Sequence, residues 1–515
     1  MTKLIQIRDF AKSGLNSDLL PWDLQPSFLT EVRNIRIANS RLNSSSGHYY
    51  WSTMPDGIDP GFIGFVSGFW ILCSVDSIYA FNGSSYADIS SDLGYPGVAD
   101  STDWTGCLLS RIPIANNPSW YPEYWPQLSL GITMEPLPWD ATQTWDDANQ
   151  SCKIMRSHKQ FLFALNLVDN GVDIKDGVRW SSPADIGGIP ETWDPLDITN
   201  VAGITNLGGG SGDIVDGLTL RDAFVVYRES GISVFDYVGG QYVWRIRHLD
   251  STAGLLNKNC IAEVNGIHYF IGDGDVFKTD GNTVTSLMNH RVKNRFLSSI
   301  DSQTFDSSYV IKNKATSELW FCIPEVGHTY PNAAYIYNWL DDTWSIRDIP
   351  EAKFAAYGAQ GSAIVTWDSM VNTWDTIDAP WDRNQRTPFD DNIIAPYNGD
   401  LVTIDYSNGQ VLEGYGSIVE RIGLPLEGLD TVTTITRAYP HIKSRGDVFV
   451  QIGSQDYPGA PTRWKAPVLF NSEYQRKVDV RTTGELHCFR IYSSVENGDF
   501  EISGIDVEYV LAGTR

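Results

Sequence analysis

Any chemistry in this 515-residue chain would have to come from a few short runs. Gly272-Asp273-Gly274-Asp275 begins like a calcium loop. Calcium needs oxygen ligands at alternate positions and a distal bidentate Glu, and neither follows. A tight turn between Ile271 and Val276 is expected instead. Gly208-Gly209-Gly210-Ser211-Gly212 offers backbone amides that could cradle a phosphate. No Lys follows and no helix begins there, so a flexible connection is expected. The eight histidines are isolated, without H-x-x-x-H or H-x-H spacing. His268 alternates with apolar neighbours and is expected to face out from a strand. His487 adjoins Cys488, but consecutive strand residues point to opposite faces and should not form a dyad. No G-x-S-x-G elbow occurs. Carboxylate pairs such as Asp341-Asp342 and Asp390-Asp391 recur, yet no pocket-forming pattern makes one an acid and the other a base. The reading is that the chain has no catalytic, cofactor-binding or metal-binding residue and is not an enzyme.

The elements that would carry such residues are strands. Alternating β-rich runs lead into a turn of Asn, Asp or Gly, and a returning strand follows. Ser77 through Tyr86 is the clearest copy. Others run Gly231–Tyr242, Asp275–Asn282, Ala334–Trp344, Ala363–Trp374 and Leu401–Val411, and Phe161–Asn166 is a degenerate seventh. Repeated hairpins at spacings of tens of residues predict a radial architecture, an all-β propeller-like body of six or seven blades. The full S-x-D-x-G-x-x-W box of sialidase-type blades is absent: Ser90-Ser91-Asp92-Leu93-Gly94 begins it, but Gly97 stands where Trp should. WD40 and kelch signatures are missing too. Helical periodicity is confined to short turns near Leu29–Ile37 and Val292–Ser298.

Composition agrees with an all-β chain: 18 Trp, 24 Tyr and 21 Phe stand beside 45 Gly and 25 Pro. The net charge of −25 is unevenly placed. Residues 431–515 are neutral and residues 1–47 carry +2, so residues 48–430 carry −27. Such a body does not bind nucleic acid tightly, because that needs Lys and Arg against phosphates. An acidic wall would instead keep a sliding duplex from sticking. Six scattered cysteines (73, 107, 152, 260, 322 and 488) form no C-x-x-C pair. Buried free thiols in a reducing compartment are expected. The N-terminus lacks an apolar signal core, and no apolar run is long enough to span a bilayer, so a soluble chain without a cleavable leader is expected.

Three regions follow. Residues 1–60 read as an extended arm, with Pro21 and Pro26 blocking helix and spaced apolar residues suited to lying across another surface. Residues 61–425 carry the propeller body. Within it, an insert at 92–149 is rich in Pro, Trp and Asp and poor in strand signals, which predicts a packed excursion or a protein contact. Residues 426–515 hold short strands separated by Arg445-Gly446-Asp447, Thr482-Thr483-Gly484 and Asn497-Gly498-Asp499, which predicts a β-sandwich-like region or a last blade with a flanking sheet.

Four runs resemble the tail nozzle or tail-hub proteins of short-tailed bacteriophages. They are Gly14–Leu24 with Asn34-Ile35-Arg36, then Val178–Asp185 with Thr192-Trp193-Asp194-Pro195, then Cys260–Gly266 through Asp280-Gly281-Asn282, and finally Gln451–Asp456 with Ser503–Asp506. None is a catalytic fingerprint, and together they span most of the chain. The resemblance implies a propeller subunit in a six-fold ring below the portal and adaptor rings, forming the distal tail channel. It implies a virion tail protein, assembled in the host cytoplasm, that retains the genome and conducts DNA during ejection without sequence-specific binding. Tail fibre or needle proteins would be further partners, with no cofactor. Acidic residues of the body would line the lumen, and residues 14–37 would lie against a neighbouring element.

Two alternatives stand beside this reading. A receptor-binding adhesin could stack Trp120 through Trp125 on the sugar rings of host surface glycans. A glycan-cleaving propeller enzyme would need an acid–base pair that the sequence does not single out.

Overall fold

The computed structural model describes residues 2–45, 47–91, 94–197, 199–208, 210–240, 243–249, 252–360, 391–404, 411–444, 447–493 and 500–514. Among these, strands form seven antiparallel blades in chain order, five as separate four-stranded sheets, the sixth as part of a ten-stranded sheet and the seventh as a five-stranded sheet. Blade 1 is Phe62–Val66, Phe69–Cys73, Ile78–Phe81 and Tyr86–Asp88. Blade 2 is Thr105–Leu109, Ile112–Asn116, Glu123–Tyr124 and Glu135–Pro136. Blade 3 is Gln150–His158, Phe161–Asp169, Val172–Trp180 and Gly203–Asn206. Blade 4 is Ile214–Leu220, Ala223–Arg228, Gly231–Tyr237 and Trp244–His248. Blade 5 is Ile261–Val264, Ile267–Gly272, Asp275–Thr279 and Val284–Ser286. Blade 6 is Tyr309–Asn313, Glu318–Ile323, Ala333–Asn338 and Thr343–Asp348. Blade 7 is Ala356–Ala359, Asp391–Tyr397 and Asp400–Ile404, completed by His48–Thr53 and Val411–Glu413.

The first strand of each blade touches the first strand of the next, and that of blade 7 touches blade 1. That cyclic order is a β-propeller. Its closure is a backbone ladder, because His48–Thr53, from before blade 1, pairs with Asp400–Ile404 of blade 7. A ring closed this way leaves no blade free to peel off at the chain's start or finish.

The hairpin repeat falls mostly on the third strand of a blade and the turn beyond it, as in blades 1, 4, 5 and 6. Asn82 shows why the turn residue matters: its Oδ1 accepts from the amides of Ser84 and Ser85. Phe161–Asn166 is instead a second strand. The copy at Ala363–Trp374 lies outside the described residues.

Blade 2 lies inside the stretch expected to be a strand-poor excursion. Its first hairpin turns on Ser110-Arg111, both at positive φ, without the Asn or Gly such a turn favours. Its outer strands are two residues long and pinned by aromatic packing rather than by β-propensity.

The N-terminal 60 residues are not one arm but a thread through four sheets, one of them the two-stranded pair of Gly14–Leu15 and Phe28–Leu29. Thr2–Ile7, Ile35–Ala38 and Arg41–Ser44 join the sheet of Val478–Gly484, Thr431–Ser444 and Phe500–Thr514. A second sheet contains Ile418–Pro425, Leu486–Ser493 and Val448–Gln455, edged by Arg463–Trp464 and Val468–Phe470. The two sheets share a core that includes Ile35, Ile435, Val450, Phe489 and Ile505. The sandwich is therefore built from both ends of the chain, and its strands begin at Ile418 rather than 426. Glu31–Arg33 pairs in parallel with Thr343–Asp348 of blade 6 and antiparallel with Ile418–Pro425. One hydrogen-bonded sheet thus runs from blade 6 into the sandwich. Of the two expected helical turns, Lys293–Ser299 forms, whereas residues 28–38 are strands because each edge there meets a partner strand.

Candidate functional site

The residues singled out for chemistry are scattered and structurally occupied. Gly272 through Asp275 is a tight turn of blade 5, with Gly274 at φ +75°. The Asp275 carboxylate is buried and accepts from Ser286 Oγ at 2.7 Å and Lys293 Nζ at 2.8 Å. Gly209 lies outside the described residues, and the two ends of the Gly208–Gly212 run turn carbonyls to Arg228, which donates to Gly208 O at 2.5 Å and to Gly212 O at 2.9 Å. That polarity suits a cation and opposes a phosphate.

His268 does not face solvent. Its Nε2 donates to Thr219 O at 2.9 Å, and Tyr227 Oη donates to Nδ1 at 2.9 Å. Both faces of a propeller strand are covered by neighbouring blades, so alternation does not mean exposure here. Burial lowers the His268 pKa to about 4. His487 pairs with Thr433 Oγ1 at 2.7 Å while Cys488 turns to Thr462, so no dyad forms. Asp342 is held by Arg291 at 2.8 Å and Asp341 accepts from the Asn39 amide. Asp390 lies outside the described residues. The six thiols are free, and five are buried. Burial pushes the sixth, Cys107, up to about 12. Among the described residues no cluster of three or more metal-ligating side chains occurs, and no helix is long and apolar enough to cross a membrane.

Two arrangements draw several elements to one point. The first is on the propeller axis, beside a cavity of about 430 Å³. Arg156 of blade 3 grips Asp216 of blade 4 with Nε and Nη2, both at 2.8 Å. It also donates to Gly106 O of blade 2 at 3.0 Å and to Asn259 Oδ1, ahead of blade 5, at 2.9 Å. Asp216 accepts in addition from the amides of Asn259 and Gly217. Burial works against the Arg156 charge and Asp216 more than offsets it, so the guanidinium is held above its usual value. Each guanidinium nitrogen and both carboxylate oxygens are engaged, which makes the pair a clasp across four blades. At the adjoining mouth, a cavity of about 380 Å³ is lined by Lys258 and Lys353 among others. Asp103 and Asp59 compensate them at 3.0 and 2.6 Å.

The second is the seam where the N-terminal thread meets blades 5 and 6 and the sandwich. Asp18 accepts from the amides of Lys293 and Asn294, capping that helix from far away in sequence. Glu31 takes a bidentate pair from Arg295 at 2.6 and 2.8 Å. Asn34, at φ +57°, donates to Asp348 Oδ2 at 2.7 Å and to Gly416 O at 2.9 Å. Arg36 donates to Glu318 at 2.8 Å. Arg421, fully enclosed, donates to Pro21 O at 2.8 Å and Leu24 O at 3.0 Å. It has no carboxylate partner among these bonds, and burial lowers its pKa to about 10. Gly423 lets the thread approach, since a Cβ there would stand 3.0 Å from Pro21 Cβ.

Sequence reading passed over Arg156, Asp216 and Arg421. The available signal was a charge inside an apolar strand, as in Ile214-Val215-Asp216-Gly217-Leu218. Of the aromatic cluster expected as a sugar platform, Tyr121 and Trp125 are core. Trp125 is buried and donates Nε1 to Ile132 O at 2.8 Å. Half-buried Trp120 packs on Tyr121 and donates to Glu123 at 3.2 Å.

No family model and no curated protein matches the chain. Solved structures similar to it include the AfRom2 CNH domain, at 8% identity over 70% of this chain and 100% of that one, with a TM-score of 0.37. PorZ, a surface component of the type-IX secretion system of Porphyromonas gingivalis, is similar at 10% identity over 82% of this chain and 46% of its own, with a TM-score of 0.36. Hsv2 of Kluyvelomyces marxianus is similar at 11% identity over 59% and 71%, with a TM-score of 0.26. The propeller assignment stands on the sheets and their cyclic contacts.

Proposed function

We propose that this chain is a non-enzymatic structural protein of a phage tail that assembles as a closed homo-oligomeric ring, six-fold by the resemblance, retaining the genome and conducting DNA during ejection. One observation carries the reading: blade 6 and the sandwich are a single hydrogen-bonded sheet joined through Glu31–Arg33. A shared ladder removes the hinge that a linker would leave, and a wall under internal pressure needs that stiffness. The resemblance runs support the reading through what they do here. Asn34 and Arg36 fasten the seam, and Asp280 Oδ1 closes a turn onto the amides of Asn282 and Thr283. The −27 charge of residues 48–430 suits a conduit for a polyanion. In this reading the ring sits below portal and adaptor rings, carries fibre or needle proteins, and belongs to the virion tail after assembly in the host cytoplasm. The adhesin alternative loses support at Trp125, which is enclosed and cannot stack on a sugar.

Mass photometry and negative-stain microscopy of the purified protein test the proposal. A single annular species is expected. A monodisperse monomer under all conditions would overturn it, and glycan-array binding abolished by Trp120→Ala would restore the adhesin.

A further inference from the structure

The three most exposed large apolar side chains among the described residues are Ile186 at 91%, Leu196 at 84% and Tyr474 at 82%. Two of them sit on one protrusion, the connection between the third and fourth strands of blade 3. It is rigidly founded: Ala184 and Trp193 are buried, Ser182 Oγ accepts from the amides of Glu191 and Thr192, and the Trp193 amide donates to Trp139 O. Its charges are all negative, Asp185, Glu191, Asp194 and Asp197, with no Lys or Arg between Ser181 and Ala202. Residues 182–197 make it an acidic, apolar-tipped knob.

The third exposed side chain, Tyr474, lies in the chain between Ser472 and Gln475, which line an open groove of about 740 Å³ on the sandwich. Leu4 and Phe470 give the groove apolar wall, and Lys443 and Arg476 give it charge. The acidic groups in the groove are already matched within the chain. Glu501 accepts from Arg41 at 2.8 Å, Asp506 from Arg8 at 2.9 Å, and Glu508 from Tyr439 Oη at 2.8 Å. Lys443 and Arg476 have no carboxylate partner among the described residues. The groove is therefore left with positive charge beside apolar surface, the complement of the knob.

Placement completes the case. The sandwich continues blade 6, and around the seven-membered ring blade 3 stands three steps from blade 6 one way and four the other. No strand of blade 3 is among those in contact with the sandwich strands, so knob and groove belong to separate parts of one chain and can meet head to tail between copies. Such a heterologous contact closes into a ring when its rotation permits.

We infer that the blade 3 knob of one copy, with Ile186 and Leu196 at its tip, seats in the sandwich groove of the next copy against Tyr474, Lys443 and Arg476. The inference rests on the ring assembly proposed above and names its contact. A preformed knob gives up little conformational freedom on docking, and an exposed Tyr beside a groove is a typical anchor.

The full-length chain and three variants decide it by mass photometry, with thermal melts as a folding control. Lys443→Glu/Arg476→Glu should raise the concentration for half-assembly at least roughly tenfold with an unchanged melt. Adding Asp185→Lys/Glu191→Lys to the same chain should restore assembly. In Ile186→Cys/Tyr474→Cys, oxidation should give a ladder of covalently joined copies. If the unaltered chain forms no ring, the functional reading fails. If it forms rings and the groove variant forms them equally well, or the cysteines do not join, this contact is overturned and the groove serves another partner.

Discussion

Arg421 is enclosed by protein at the seam with the sandwich and Arg156, at 11% side-chain exposure on the propeller axis, nearly so, and they are stabilised by opposite means. Arg156 has a carboxylate, Asp216, gripped by two bonds of 2.8 Å. Arg421 has carbonyls of the N-terminal thread, Pro21 O and Leu24 O, and its Nε finds no acceptor. The axis therefore keeps its guanidinium above the ordinary value, while the seam lowers its own to about 10. A full ion pair clasps blades that are already closed by a backbone ladder. At the seam, partial dipoles fasten a segment whose own strands are only two to four residues long. Charge pairing marks the rigid hub, and a cation satisfied by backbone marks the place where a distant segment must be held in register.

The largest break in this comparison is Asp216→Ala. It leaves Arg156 largely buried without a counter-charge and should cost about 3–5 kcal/mol, read as a fall in the denaturation midpoint. An equal loss in Arg156→Met/Asp216→Leu would show that the clasp does not act as a pair. Next is Arg421→Met, which removes a costly charge but strands the carbonyls of Pro21 and Leu24. A loss of about 1–3 kcal/mol is expected, together with faster proteolysis within residues 1–30, a readout the Asp216 variant should not share.

The smallest effect comes with pH and tests whether the two regions unfold together. His268 in the propeller and His487 in the sandwich are buried, and burial lowers each pKa from 6.5 to about 4. Between those values the unfolded chain binds the proton and the native chain does not. Their contribution is therefore intact above pH 6.5 and is lost as pH falls toward 4. At pH 5.5 each should cost about 1.4 kcal/mol. His268→Asn and His487→Asn should each flatten the acid dependence of a single melt. Two separable melts, each sensitive to only one histidine, would show that the shared sheet does not couple propeller to sandwich.

Much of the body could be read from local chemistry. Asn170-Gly171, Asn265-Gly266 and Asn398-Gly399 each turn a hairpin with both residues at positive φ, which is the geometry those residue types allow at low cost. Blade 2 was hidden because Ser110-Arg111 adopts the same turn without either signal, held there by the strands on each side. His268 was misplaced because alternation reports exposure only when one face of a sheet meets water, and here both faces meet other blades. The Arg156 clasp was hidden for another reason: its members lie at positions 106, 156, 216 and 259, and no local pattern relates them.

By itself the sequence determined an all-β chain of repeated hairpins, an acidic body between less charged ends, and the absence of a metal or nucleophile motif. These follow from turn residues, strand alternation and composition, all of which act within a few residues. Only the tertiary structure decided that the first 60 residues thread a blade, a bridge and a sandwich, that the sandwich draws on both ends of the chain, and that largely buried arginines lock the result. An isolated short strand is unstable until a partner edge satisfies its backbone, and which edge that is depends on contacts hundreds of residues apart.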